Sequence, residues 1–214
     1  MKQNISSQMQ KRLVALFFLF LTLAGLILGS GYGVPWDEKM EQEILKQNVY
    51  EYAITFLGTD NSMVRDWSRH VIRISESIER DHGSALFYPM SFLLIIRDAH
   101  LVMQIWHVYI WLLFMLGVIA IYIIMRELGF PRIIACLTSL LLYLSPRFFA
   151  EGHYNNKDIV LLSMAICIFA LAARLSRDHR FKWVLLFSLA GAFTSNLKII
   201  GAFAWGLAGI AVLW

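Results

Sequence analysis

Residues Leu13–Gly29 read LVALFFLFLTLAGLILG, and one serine later Gly31–Glu38 read GYGVPWDE. The first stretch decides the class of fold. Its seventeen uncharged residues approach the roughly 20 that cross a bilayer as a helix. Lys2, Lys11 and Arg12 precede it, a basic flank that assigns residues 1–12 to the cytoplasm. A secretory signal has a similar order of features, and Gly29-Ser30-Gly31 offers small residues for cleavage. The run is longer than a usual signal core, so it reads as an uncleaved anchor, the first span over 13–29. The second stretch leaves the span through glycines, Pro35 and Trp36, then sets two carboxylates side by side, Asp37 and Glu38. Acidic residues suit the first turn of a helix because they complement its positive end. If the chain is an enzyme, this glycine-rich exit is where its reactive carboxylate belongs.

Composition extends the membrane reading. Apolar residues make up 58% of the chain and aromatics 14%, a profile of several spans rather than of a soluble globular domain. The net charge of +4 is gathered between the apolar runs, as cytoplasmic loops require, and gives no sign of nucleic-acid binding. Cys136 and Cys167, the two cysteines, both lie inside apolar runs, which argues against a disulfide or a metal pair. The sequence stops within an apolar run at Trp214, so a piece of a longer protein is expected.

Residues 30–100 form a long polar segment with helical periodicity. Met40, Ile44, Val49, Ala53 and Phe56 predict one apolar helix face, and Val64, Trp67, Val71, Ile74 and Ile78 a second. Gly58–Ser62 reads as a turn, with Ser62 as the N-cap of the second helix. Residues 85–96 are apolar but short and contain Pro89, which suits an interfacial or re-entrant helix. Further apolar runs follow at 101–125, 133–150, 159–175, 183–194 and 199–214, so about six spans are expected, the last cut off. The connection 126–132 carries Arg126 and Arg132, and 174–182 carries Arg174, Arg177, Arg180 and Lys182. Both should be cytoplasmic, and they stay there only if 85–96 does not cross. Segment 30–100, the hinge near 147–158 and the turn at 195–198 then share the non-cytoplasmic side. Trp36, Trp106, Trp111 and Trp183 read as boundary aromatics, and His107 as a packed, hydrogen-bonded residue.

On this topology Asp37 and Glu38, Asp81 and His82, the hinge Ser145–Asp158, and Asn196 with Lys198 all face one leaflet. Ionisable residues at a membrane mark a substrate path or a pairing partner. This convergence of acids and cations suits an amphiphile with a charged head. Several of these stretches are similar to motifs of the GT-C membrane glycosyltransferases. Pro35-Trp36-Asp37-Glu38 resembles their acidic motif. Ser145-Pro146-Arg147-Phe148-Phe149 with Asn155-Asn156-Lys157-Asp158-Ile159 looks like the hinge of the branch containing protein O-mannosyltransferases and lipid A aminoarabinose transferases. Asp81-His82-Gly83 resembles the stretch before that branch's interfacial helix, and Lys198 falls where a basic residue is common. The resemblance covers nearly the whole chain, as the amino-terminal half of a typical member.

The resemblance implies an all-α polytopic membrane protein of GT-C type with non-cytoplasmic juxtamembrane helices. It implies sugar transfer from a polyprenyl-phosphate donor to an acceptor hydroxyl of a protein, lipid or glycan, outside the cytoplasm and with inversion. Asp37 is then the base, with Glu38 beside it structural or orienting the acceptor. Lys198, Arg147 and Lys157 are the cations available to the departing phosphate, and Asp81, His82, Asn155 and Asp158 are substrate-binding. The sequence requires no cofactor. His82 and His153 lie beside acids, but two histidines so far apart form no divalent-metal motif. The plainer alternatives remain open: Asp37 as a solvated helix-start acid, Arg147 and Lys157 as headgroup contacts, and Lys198 as an anchor of a hairpin turn. So do two other functions, a transporter or channel subunit and a non-catalytic assembly subunit. A glycosyltransferase portion of this length is expected to be inactive alone.

Overall fold

The computed structural model describes residues 2–213, with side chains described from residue 7 onward. Nine α-helices are found among them, and no strand. The helix α1 runs over Lys2–Gly29, so the basic flank continues the first span as helix. The polar segment contributes α2 (Glu38–Leu57), α3 (Ser62–Trp67) and two 3-10 stretches, Ile74–Glu76 and Tyr88–Ile95. The rest is α4 (Ala99–Glu127), α5 (Arg132–Tyr143), α6 (Pro146–Tyr154), α7 (Asp158–Leu175), α8 (Phe181–Leu197) and α9 (Ile200–Leu213). By length and apolarity Ser7–Gly29, α4 and α7 suffice to cross a membrane, and α5 with α6 makes a fourth span if the bent pair counts as one. The helices α8 and α9 are apolar but shorter, at 17 and 14 residues. Trp214, where the last apolar run ends, lies outside the described residues.

The 29-residue α4 is the centre of the bundle, packed against α1, α5, α6 and α7, while α7, α8 and α9 pack on one another. One face of α4 is buried throughout: Trp106, Ile110, Trp111, Phe114 and Val118. Lipid is as apolar as these side chains, so the hydrophobic effect does little to join helices here; close packing and interhelical hydrogen bonds must. Both are present. A Cβ on Gly117 would lie 2.8 Å from the Ser163 backbone, so α4 and α7 approach as closely as glycine allows. Trp111 Nε1 donates to the Thr22 carbonyl at 3.0 Å, and the Tyr143 hydroxyl donates to that of Leu21 at 3.0 Å, fastening α1 to α4 and α5.

Several sequence expectations are corrected. The run 133–150 is not a straight span. It breaks at Leu144–Ser145, where α5 and α6 meet at 67°, because Pro146 cannot donate to the preceding turn and starts a new helix instead. The periodicity over 64–78 yields helix only as far as Trp67. Six residues are too short to persist without tertiary packing, and most of the following residues are exposed. The cap of α3 is Asn61, whose side chain accepts from the Met63 N–H at 2.9 Å, rather than Ser62. Trp106 and Trp111 are core residues, not boundary aromatics. In α2 the buried side is Glu38, Glu41, Ile44, Leu45, Gln47 and Tyr50, while Met40 and Phe56 are exposed. Two carboxylates on a buried face are what an apolar-periodicity reading passes over.

Candidate active site

The helix α2 begins where the chain leaves the first span, and its first turn sorts three acids by direction. Asp37 is the N-cap residue, but its side chain makes no capping bond. By contrast, Asp98 caps α4 by accepting from the His100 and Leu101 N–H groups. The Asp37 carboxylate is therefore exposed and not spent on ending a helix. Glu38, one residue on, turns into the bundle, where one oxygen lies 2.9 Å from His107 Nε2 and the other accepts from Gln42 at 3.2 Å. That buried pair pins the first turn of α2 to α4. Glu41, one helical turn beyond Asp37, is 2% exposed and faces the same way as Asp37.

Asp37 and Glu41 line a cavity of about 350 Å³ together with Pro35, His82, Tyr154, Lys198 and the hinge residues Asn155–Asp158. Four separate parts of the sequence meet there. The hinge is set by the α6–α7 junction: Asn155 Oδ1 accepts from the Asp158 N–H at 2.9 Å and the Lys157 N–H at 3.3 Å, closing the turn that leads into α7. That turn presents Asn156 and Lys157 to Glu41. Asn156 Nδ2 donates to one carboxylate oxygen, and Lys157 Nζ stands 3.4 Å from the other. Lys198, just past α8, pairs with Asp158 at 2.5 Å. The His82 loop is held by Asn196, whose Oδ1 accepts from the Ser84 and Ala85 N–H groups at 3.1 and 2.7 Å. Gly83 makes this contact possible: a Cβ there would stand 1.5 Å from the Asn196 carbonyl oxygen.

The electrostatics of the cavity are mixed. Burial raises the Glu41 carboxyl from its ordinary value to about 7; Lys157 opposes that rise, and the charges of Asp37 and Glu38 add to it. Near neutral pH Glu41 is therefore divided between its neutral and ionised forms, and Lys157 and Lys198 are paired with Glu41 and Asp158.

Of the residues singled out from sequence, Asp37, His82, Asn155, Lys157, Asp158 and Lys198 are brought together. Three are not among the residues lining the cavity. Glu38 is buried against His107, Arg147 is exposed and paired with Glu151 at 2.9 Å, and Asp81 is exposed beside Arg80. His153 sits between the Trp111 and Tyr32 rings, at 4.2 and 4.9 Å, apart from His82. Sequence reasoning missed Glu41 and Asn156. The available signal was spacing, since Glu41 follows Asp37 by four residues and so shares its helix face.

An all-helical bundle whose long apolar helices suffice to cross a membrane, with acids and lysines gathered around a cavity at one end, defines an integral membrane protein. The chain belongs to the PMT family, dolichyl-phosphate-mannose-protein mannosyltransferase, whose model matches residues 91–214, more than half of it. It is thus a member of a membrane glycosyltransferase family, as the GT-C resemblance implied. The match includes the hinge and Lys198; Asp37, Glu41 and His82 lie before it. No curated protein and no solved structure matches the chain significantly.

Proposed function

We propose that this cavity transfers a sugar from a polyprenyl-phosphate donor to an acceptor hydroxyl on the non-cytoplasmic face. The observation that carries the reading is the meeting of an uncommitted carboxylate, Asp37, with two lysines, Lys157 and Lys198, in one cavity. The acceptor oxygen attacks the anomeric carbon while the bond from that carbon to the phosphate oxygen breaks. Its electron pair leaves with the lipid phosphate, and the acceptor proton passes to Asp37. The departing phosphate needs no proton, so one carboxylate suffices where glycoside hydrolysis uses two. Negative charge grows on the leaving phosphate, and fixed cations aimed at it lower the barrier. Lys198 and Lys157 serve that purpose by exchanging Asp158 and Glu41 for the donor phosphate. Glu38 acts by position: bonded to His107, it holds the turn that carries Asp37.

His82, Asn155 and Asp158 line the space left for sugar and acceptor. The family name supports a mannosyl donor on dolichyl phosphate and a protein acceptor.

The test uses membranes containing the natural gene product, supplied with polyprenyl-phosphate mannose and an acceptor peptide. Lys198→Met is expected to raise the KM for the donor about tenfold, the effect of losing one charge-assisted contact worth about 1.5 kcal/mol. Transfer that is unchanged in Lys198→Met and in Lys157→Met contradicts the assignment. No transfer by any form of the protein would favour a transporter or assembly role.

A further inference from the structure

Two of the apolar grooves between the described helices differ in the charge at one end. The groove among α4, α7 and α8, about 660 Å³, ends at Glu127 and Arg174. Arg174 and Arg177 both pair with Glu127, at 3.1 and 3.6 Å, so that end is balanced. The groove between α1 and α5, about 620 Å³, is lined by Leu13, Phe17, Leu137 and Leu140 and ends at Arg126 and Arg132. Both arginines are half-buried, and among the described residues neither has an acidic partner. Among the described residues their hydrogen bonds go to neutral oxygens: Arg126 donates to the Phe130 carbonyl and Arg132 to Gln10 Oε1, the latter at 2.7 Å.

The same place holds a second feature that favours an anion. The helix α5 starts at Arg132 after Pro131, with no side-chain cap, and its first closing bond runs from the Ala135 N–H to the Pro131 carbonyl. The N–H groups of that first turn are left for an acceptor, and Pro131, Arg132 and Ile133 all line the groove. An uncapped helix start with two guanidiniums is a phosphate seat. An apolar groove continuing from it into the bundle takes an acyl chain.

We propose that this groove is a specific site for an anionic glycerophospholipid, with its phosphate on Arg126, Arg132 and the start of α5 and one acyl chain between α1 and α5. Basic pockets between membrane helices select acidic headgroups in this way. The site lies near the C-terminal end of α4, about 28 Å along the helix from His107, which holds the first turn of α2 beside the Asp37 cavity. It is therefore independent of the catalytic reading.

The test is native mass spectrometry of the purified chain in detergent, with phosphatidylglycerol, phosphatidylcholine, glycerol phosphate and polyprenyl phosphate added separately and in competition. One phosphatidylglycerol is expected to be retained in preference to phosphatidylcholine. Arg126→Gln and Arg132→Gln should each reduce that retention about fivefold. Leu137→Trp, an exposed position that fills the groove without loss of charge, should displace the lipid as well. Equal retention of the two phospholipids, or retention unchanged in the double arginine variant, overturns the proposal. So does displacement by glycerol phosphate alone, or preferential binding of polyprenyl phosphate.

Discussion

At the scale of single residues, the first turn of α2 assigns different work to three neighbouring acids. Asp37 is exposed to the cavity, Glu38 is consumed by His107, and Glu41 is buried between Asn156 and Lys157. Glu41 gives the protein a pH dependence of definite sign. Its carboxyl titrates near 7 in the folded protein against 4.5 for the free group, chiefly through burial. Between these values the folded state binds the extra proton, so stability falls as pH rises from about 4.5 to about 7 and is level above that. A shift of this size corresponds to about 3 kcal/mol. Thermal unfolding at pH 5, 6 and 7 should show the wild type losing stability across the series, and Glu41→Gln losing much less. Parallel curves for the two proteins would show that Glu41 is not the group responsible.

At the scale of elements, the site depends on loops held against helix ends. The 83–85 loop rests on the end of α8 through Asn196, and only a glycine at position 83 leaves room for it. Gly83→Ala should lift that loop, draw His82 away from Lys198 and cost about 1–3 kcal/mol, as overpacking generally does. Reduced transfer with a lower unfolding temperature is the expected result; unaltered values of both would contradict the packing described. The same elements show what the sequence makes legible. The spans at α1, α4 and α7 are plain because an unbroken apolar run of roughly 20 residues fits little except a helix that crosses a bilayer. The α5–α6 break is not, since Pro146 lies in a run whose apolarity carries on past it. Residues 68–78 keep a helical period without forming α-helix, because local pattern supplies no partner surface.

At the scale of the molecule, four distant segments close around one cavity at one end of a helical bundle. Their identity could be read from sequence because Asp37, Lys157, Asp158 and Lys198 sit at the ends of apolar runs, where topology alone puts them on one side. Glu41 and Asn156 could not be read that way. The four-residue spacing puts Glu41 on the helix face of Asp37, but its burial and its bond to Asn156 are set by tertiary packing. The outlying position of Arg147 was equally hidden, since it follows from the direction of α6 after the break. The central claim is that Asp37 takes the acceptor proton, and the most direct measurement compares wild type with Asp37→Asn in membranes supplied with the polyprenyl-phosphate sugar. Both proteins must be inserted equally and must bind donor equally. General-base loss predicts a fall in transfer of about 10²–10⁴-fold with donor binding retained. Full activity in Asp37→Asn would contradict the account.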